Sequence, residues 1–329
     1  MKKILFSLGI VLVAIIIAVT IFMCTRKESN LRKIKVAEVT HSVFYAPQYV
    51  AHSLGYYKDE GLDVEIILTP GADSVAAAVL SGDVQIGFCG SEQTIYIYNQ
   101  GQKDYLVNFS ALTKKDGSFL ISRKENKNFK IADLKGSHII AGRKGGMPSM
   151  TLKWALNQNN LNTDKDLKFD TSIAFASMNG AFIGGTGDYV TAFEPSASEL
   201  VNKGYGYIVA SIGELGGNVP YTTYSAKKSY IKNNKETIKG FTKATQKGLD
   251  YVHNHSAKEI ANTISSYFPD VSYNDLVNAI NKYMEIDSWY DTTSINEKDF
   301  NHIQEIIKND NELDKKAPYN KLVDNSFSK

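Results

Sequence analysis

From residue 33 onward the apolar positions switch between two periods. KIKVAEV alternates with period two, which predicts a strand. Tyr49, Val50, Leu54 and Tyr57 then recur at helical spacing, with Pro47 where a first-turn proline is tolerated and Gly55 as a stop. LDVEIILT predicts a second strand. Asp73 and Ser74 are placed to cap the Ala-rich helix SVAAAVLSG, which Gly82 closes. DVQIGFCG predicts a third strand and SEQTIYIYNQG the next helix. Strands alternating with helices predict a parallel sheet with right-handed crossovers.

A second series follows. DYLVNFSAL and SFLISRK read as strands, FKIADLKG as a short helix, SHIIAGRK as a strand and MPSMTLKWALNQNNL as a helix. GDYVTAFE is a strand, PSASELVNKG a helix that opens on Pro195, and GYIVASI a strand. After NVPYTTYSA, residues 226–309 read as mainly helical, in the segments NNKETIKGFTKATQKGLDYVHN, SAKEIANTISSYF, SYNDLVNAINKYM and NEKDFNHIQEIIK. No repeat of solenoid length occurs, but the two α/β series suggest two similar lobes.

The first 24 residues differ. MKK precedes twenty residues without a charge, near the length that crosses a bilayer as a helix, and Cys24 follows. Two readings stand: a lipoprotein signal with Cys24 as lipidation site, which Met23 fits imperfectly, or an uncleaved membrane anchor. Both place the rest at the extracytoplasmic face, with residues 25–33 as a charged tether. Of 37 Lys plus Arg, two lie in the MKK start, leaving 35 against 35 Asp plus Glu. A formally neutral outer part gives no support for nucleic-acid binding. Cys24 and Cys89 are the two cysteines, so the outer part has no disulfide within itself and must be held by its core.

Ligands of open α/β sheets bind beyond the carboxyl ends of the strands. The segments there are THSVFYAP, CGSEQ, GRKGGMPSM and FEPSA, each leading into a helix whose N-terminus offers free N–H groups. GRKGGMPSM lacks the phosphate-loop spacing.

The stretches FYAPQYVAHSLGYYKDEGLDVEI, GADSVAAAVLSGDVQIGFCGSE, GRKGGMPSMTLKWAL and DYVTAFEPSASELVNKG, in that order and spacing, resemble substrate-binding proteins for nitrate, sulfonates, taurine and thiamine-precursor pyrimidines. The resemblance runs from about residue 34 to 310, and its most specific piece is GYYKDEGLDVEI with SGDVQIGF. It implies an α/β, two-lobed periplasmic-binding-protein-like fold of type II, each lobe a mixed, mainly parallel sheet flanked by helices, with a helical C-terminal part. Lobe I would be residues 34–110 plus 222–329, and lobe II residues 111–218. The hinge would lie near NFSALT and NVPYTTY. The resemblance also implies a monomer that closes on a small molecule and delivers it to an ABC permease and ATPase. No catalytic residue, cofactor or metal is expected.

The expected ligand-binding residues are His41, Phe44, Tyr45, Gly90, Ser91, Glu92, Gly145, Gly146, Met147 and Glu194. Arg143 and Lys144 are the cations on these loops, while Glu92 and Glu194 are carboxylates. A buried carboxylate needs a donor, which favours an aminopyrimidine or another nitrogenous ring over a bare anion; sulfonate, taurine or nitrate is the alternative. Each residue also has a plainer reading. Phe44 and Tyr45 could pack under the first helix, where Tyr49 is expected as core. Ser91 could be an N-cap and Glu92 a dipole partner, and Pro148 could merely open a helix. Glu194 could pair with Arg143. Cys89 reads as a buried thiol, His253 and His255 as a helix-turn surface, Trp289 as core, and KNDNELDKK as a solvated face. A pyrimidine-synthase-like enzyme and a sensory module on the same fold are the remaining alternatives.

Overall fold

The computed structural model describes residues 31–328. The expected anchor, residues 1–24 with Cys24, lies outside the described residues, as does most of the tether. The first series gives β1 (Arg32–Glu38), α1 (Ala46–Ser53), β2 (Leu62–Leu68), α2 (Ala72–Ser81), β3 (Ile86–Gly90), α3 (Glu92–Asn99) and β4 (Leu106–Thr113). The second gives β5 (Ser118–Ser122), β6 (His138–Ile140), α4 (Met147–Gln158), β7 (Lys168–Asp170), β8 (Tyr189–Phe193), α5 (Ser196–Asn202) and β9 (Tyr207–Ser211). After β10 (Thr222–Lys227) come the tail helices α6 (Lys235–Asn254), α7 (Ala257–Ile264), α8 (Tyr273–Glu285) and α9 (Glu297–Asn309).

Two five-stranded sheets result, in the orders β2-β1-β3-β10-β4 and β7-β6-β8-β5-β9. Pairing is parallel except around β10 and β5, which run against their neighbours. Each sheet is therefore mixed, as the resemblance implied, with one antiparallel strand apiece. A parallel neighbour needs a crossover of about a dozen residues or more, and neither exception follows one. Residues 114–117 carry the chain from β4 straight into β5, and after the short helix Ile212–Gly216 residues 217–221 carry it back into β10. These two short connections are the main-chain crossings between the sheets.

The tail helices start where their caps demand. Ser256 and Glu259 form a reciprocal capping box at α7, and the side chains of Ser272 and Asn296 accept from Asp275 N and Asp299 N at α8 and α9. Along α6, Ile238, Phe241, Thr245, Leu249 and Val252 form the buried stripe. Burial of each large apolar side chain there stabilises by about 1.5–3 kcal/mol. Gly248 lets α6 lie against α1, because a Cβ at that position would stand 2.2 Å from the Pro47 carbonyl.

The tail also reaches the second sheet's helices. Lys153 on α4 pairs with Asp310 at 2.8 Å, and Trp154 meets His302 edge-on at 4.9 Å. Lys282 on α8 pairs with Glu194 at 2.6 Å.

Candidate ligand cleft

A cavity of about 120 Å³ opens where the carboxyl ends of the strands of both sheets face each other. From the first sheet, Val39 and Thr40 follow β1, Tyr45 precedes α1, Gly71 and Ala72 begin α2, and Gly90 and Glu92 straddle the β3–α3 junction. Tyr221 and Thr222 come from the returning crossing. From the second sheet come Arg143, Gly146, Met147 and Pro148 at the start of α4, Phe175, and Phe193 at the end of β8.

Glu92 is the main polar feature. It is 2% exposed, and its Oε2 has no hydrogen-bond partner. Oε1 receives a long contact from Gln93 Nε2 at 3.5 Å. Burial pushes the carboxyl up to about 7; a backbone hydrogen bond, Gln93 and Arg143 offset part of that rise, and Asp73 adds to it. Gly90 is a steric requirement of this arrangement, since a Cβ there would stand 1.9 Å from Oε2. Among the described residues, Arg143 is the one cationic side chain on the cavity wall, and it pairs with Asp73 at 3.4 Å.

Aromatic groups form much of the remaining wall. Tyr45 is 2% exposed, and burial pushes its phenol far up, with the Thr222 hydroxyl acting in the opposite direction. Burial likewise raises Tyr221 well above the usual range, with Asp116 and Tyr45 adding to it. Both therefore remain neutral hydroxyls, able to donate or accept. Phe193 and Phe175 meet edge-on at 6.0 Å, with Phe175 on the exposed rim. Cys89, behind Tyr45 and Glu92, is buried, and desolvation holds its thiol well above its ordinary range. It is a thiol that packs, with no activating cation beside it.

The cavity thus gathers Tyr45, Gly90, Glu92, Gly146 and Met147 from the expected set, and leaves His41, Phe44, Ser91, Gly145 and Glu194 outside. Phe44 is corrected from cleft to core. It is fully buried, its ring packs against Phe193, Tyr221 and Tyr283, and its carbonyl accepts from Trp289 Nε1 at 2.8 Å. The Ser42 hydroxyl accepts from Phe44 N and donates to the Glu194 carbonyl. This turn aims Phe44 at the crossings and its neighbour Tyr45 at the cavity.

Glu194 is spent elsewhere: its carboxylate accepts from Ser198 N and Oγ at 2.9 Å each and from Lys282 Nζ at 2.6 Å. The expected alternative partner, Arg143, is not the one it takes. Ser91 donates to the Pro220 carbonyl and does not cap α3 through its side chain. Gly145 turns away towards Tyr96. His41 binds Glu38 and the Tyr267 carbonyl.

Phe193, Tyr221, Thr222, Val39, Thr40 and Phe175 join the site without having been singled out. Phe193 and Tyr221 were legible as aromatics, one beside Glu194 and one in NVPYTTY. Tyr49 and Trp289 are buried as expected, and the Tyr49 hydroxyl donates to Glu38 Oε2. His253 bonds the Tyr290 carbonyl and His255 stacks on Tyr251. Among the described residues, no three His, Cys, Asp or Glu side chains group closely enough to hold a metal ion.

The family described as NMT1/THI5 like matches residues 43–259. YtlA of Bacillus subtilis (strain 168), a protein ascribed a binding role, is 43% identical over 321 residues, which are 98% of this chain and 96% of YtlA. A 4-amino-5-hydroxymethyl-2-methylpyrimidine phosphate synthase of Schizosaccharomyces pombe is 26% identical over 147 residues, 44% of this chain and 41% of the synthase. Among solved structures, the alkanesulfonate-binding protein SsuA of Xanthomonas axonopodis pv. citri superposes with a TM-score of 0.71 at 13% identity, covering 89% of this chain and 98% of SsuA. That likeness establishes the shared α/β two-sheet fold.

Proposed function

The chain belongs to the NMT1/THI5-like family, and from that premise we propose that it is the substrate-binding component of an ABC importer. In this reading it is held at the outer membrane face by its N-terminal segment, acts as a monomer, and hands a small molecule to a permease and ATPase. The ligand is a small nitrogenous heteroaromatic of the aminopyrimidine kind. Residues 34–110 with 222–329, and residues 111–218, are the lobes that close on it about the two crossings.

The observation that carries the ligand class is the unpartnered oxygen of Glu92 in an aromatic cavity. A buried carboxyl without a partner costs about 1–3 kcal/mol or more, and an amino group or ring N–H from a ligand removes that cost. Tyr45, Tyr221 and Phe193 offer faces and edges to a flat ring. A sulfonate or nitrate would favour a wall of cations, whereas Arg143 is the one such lining side chain among the described residues and shares its charge with Asp73 at 3.4 Å in a half-exposed pair. Likeness to the Schizosaccharomyces pombe synthase favours a pyrimidine and is also the basis of the rival enzyme reading. Against that rival stand a buried thiol held well above its ordinary range and a Glu92 Oε2 that has no hydrogen-bond partner among the described residues.

Thermal-shift measurements with 4-amino-5-hydroxymethyl-2-methylpyrimidine, taurine, an alkylsulfonate and nitrate test the proposal. A tight ligand stabilises by about 2.7 kcal/mol at a hundredfold excess over its Kd. The pyrimidine is expected to shift the melt; a shift with the anions alone would overturn the ligand class, and catalytic turnover would overturn the binding role.

A further inference from the structure

His41 sits one residue beyond Val39 and Thr40, which line the cavity, and four before Tyr45, which also does. Its two ring nitrogens have definite neighbours. Nδ1 lies 2.9 Å from Glu38 Oε1, and Nε2 lies 2.8 Å from the main-chain carbonyl of Tyr267. Both oxygens can only accept when Glu38 is ionised. Tyr49 Oη is also within 3.0 Å of Nδ1, but its one proton points to Glu38 Oε2 at 2.8 Å. A neutral imidazole has a single N–H and satisfies one of the two acceptors; an imidazolium satisfies both.

We infer that His41 is carried as an imidazolium and is a positioning residue for the cavity wall, tying the segment 39–45 both to Glu38 at the end of β1 and to the Tyr267 carbonyl, and releasing the Glu38 tie on deprotonation. The deprotonated arrangement is available in the same cluster. Tyr49 Oη can turn its proton from Glu38 to Nδ1, so that Nδ1 accepts from Tyr49, the remaining N–H on Nε2 keeps the Tyr267 carbonyl, and the Glu38 carboxylate loses two of its three donors. The third donor, Gln48 Nε2, holds Oε2 at 2.8 Å in either state.

The groups facing this cluster come from three elements. Glu38 ends β1; Gln48, Tyr49 and His52 lie on α1; Tyr267 and Phe268 belong to the turn after α7. His52 Nδ1 is bonded to Tyr267 Oη, so it does not compete for His41. The Phe268 ring stacks on the His41 ring at 4.8 Å, an arrangement that also favours a cation. The Glu38 hydrogen bond raises the His41 pKa from its ordinary 6.5 despite the opposing desolvation. For a group raised in this way, the stabilisation is fully present below about 6.5 and is lost as pH climbs through the higher folded value.

The clamp is tested on the ligand-free full chain in detergent. Histidine NMR, with His41 identified by its absence in His41→Ala, is expected to give a midpoint above 6.5. Amide exchange over residues 39–45, divided by the intrinsic rate at each pH, should lose protection about tenfold between pH 6 and pH 9, the factor for 1.4 kcal/mol. In His41→Ala the protection should be low at both. A midpoint at or below 6.5, pH-independent protection in the wild type, or wild-type protection in His41→Ala would each overturn the inference. Its bearing on ligand capture rests on the proposed function. There the Kd for 4-amino-5-hydroxymethyl-2-methylpyrimidine should rise over the same pH range, and rise less in His41→Ala. If that pyrimidine fails to bind at pH 6 while exchange behaves as stated, the ligand assignment falls and the clamp stands.

Discussion

Replacing Glu92 with Gln should make the ligand-free protein more stable at pH 8 and leave it nearly unchanged at pH 4.5. The carboxyl is fully buried and pushed up from 4.5 to about 7. Between those values the folded chain holds a proton that the unfolded chain has released, so stability falls as pH rises from about 4.5 to about 7. Above that the full penalty is present: about 3 kcal/mol, at 1.36 kcal/mol for each pH unit between the two pKa values. Gln keeps the shape and cannot ionise, so the variant escapes the penalty. Urea unfolding of both proteins at pH 4.5, 6 and 8 reads the difference directly. The gap between variant and wild type should open with pH towards about 2–3 kcal/mol, and other titrating groups cancel in that difference. An equal stability at pH 8, or a variant less stable there, would show that Glu92 already has a partner and would remove the reason for assigning it a ligand.

Four further substitutions separate packing from capture. Phe44→Ala empties a fully buried site at the crossings and should cost about 3–5 kcal/mol in denaturant unfolding. Lys282→Met leaves the Glu194 carboxylate, whose side chain is 0% exposed, with only Ser198 as donor; a loss of about 2–4 kcal/mol is expected, with part recovered in the double variant carrying Glu194→Gln. Gly90→Ala puts a methyl 1.9 Å from Glu92 Oε2, so the carboxyl must move; calorimetry should show at least about a tenfold loss of pyrimidine affinity, the equivalent of 1.4 kcal/mol. Asp73→Asn breaks a largely exposed pair and should change stability by less than about 1 kcal/mol while freeing Arg143, so that sulfonate binding, expected to be undetectable in the parent, becomes detectable.

The order of strands and helices was legible because the apolar period changes cleanly from two to 3.6 along the chain, as in KIKVAEV and then Tyr49 to Tyr57. What escaped was short or unusual in composition. Lys168–Asp170 is three residues long, too few to show a period. Thr222–Lys227 is TTYSAK, and it is buried along five of six positions despite its hydroxyls. Thr223 Oγ1 donates to Asn108 Oδ1 at 2.7 Å and the Tyr224 hydroxyl to Gln48 Oε1 at 2.9 Å, which makes a polar strand tolerable in a core. The site was half legible. Strand ends named the loops that line the cavity, but not the direction of each side chain within them. Phe44 and Tyr45 are adjacent and diverge because Ser42 bonds both the Phe44 amide and the Glu194 carbonyl. The partner of Glu194 lies 88 residues away on another helix, a distance no local pattern can span.

Calorimetric titration of 4-amino-5-hydroxymethyl-2-methylpyrimidine and of an alkylsulfonate into the wild type and into Glu92→Gln reads the ligand assignment most directly. The account predicts saturable binding of the pyrimidine to the wild type, at least about tenfold weaker binding to Glu92→Gln, and no heat from the sulfonate in either. Sulfonate binding that Glu92→Gln leaves intact, with no response to the pyrimidine, would contradict it.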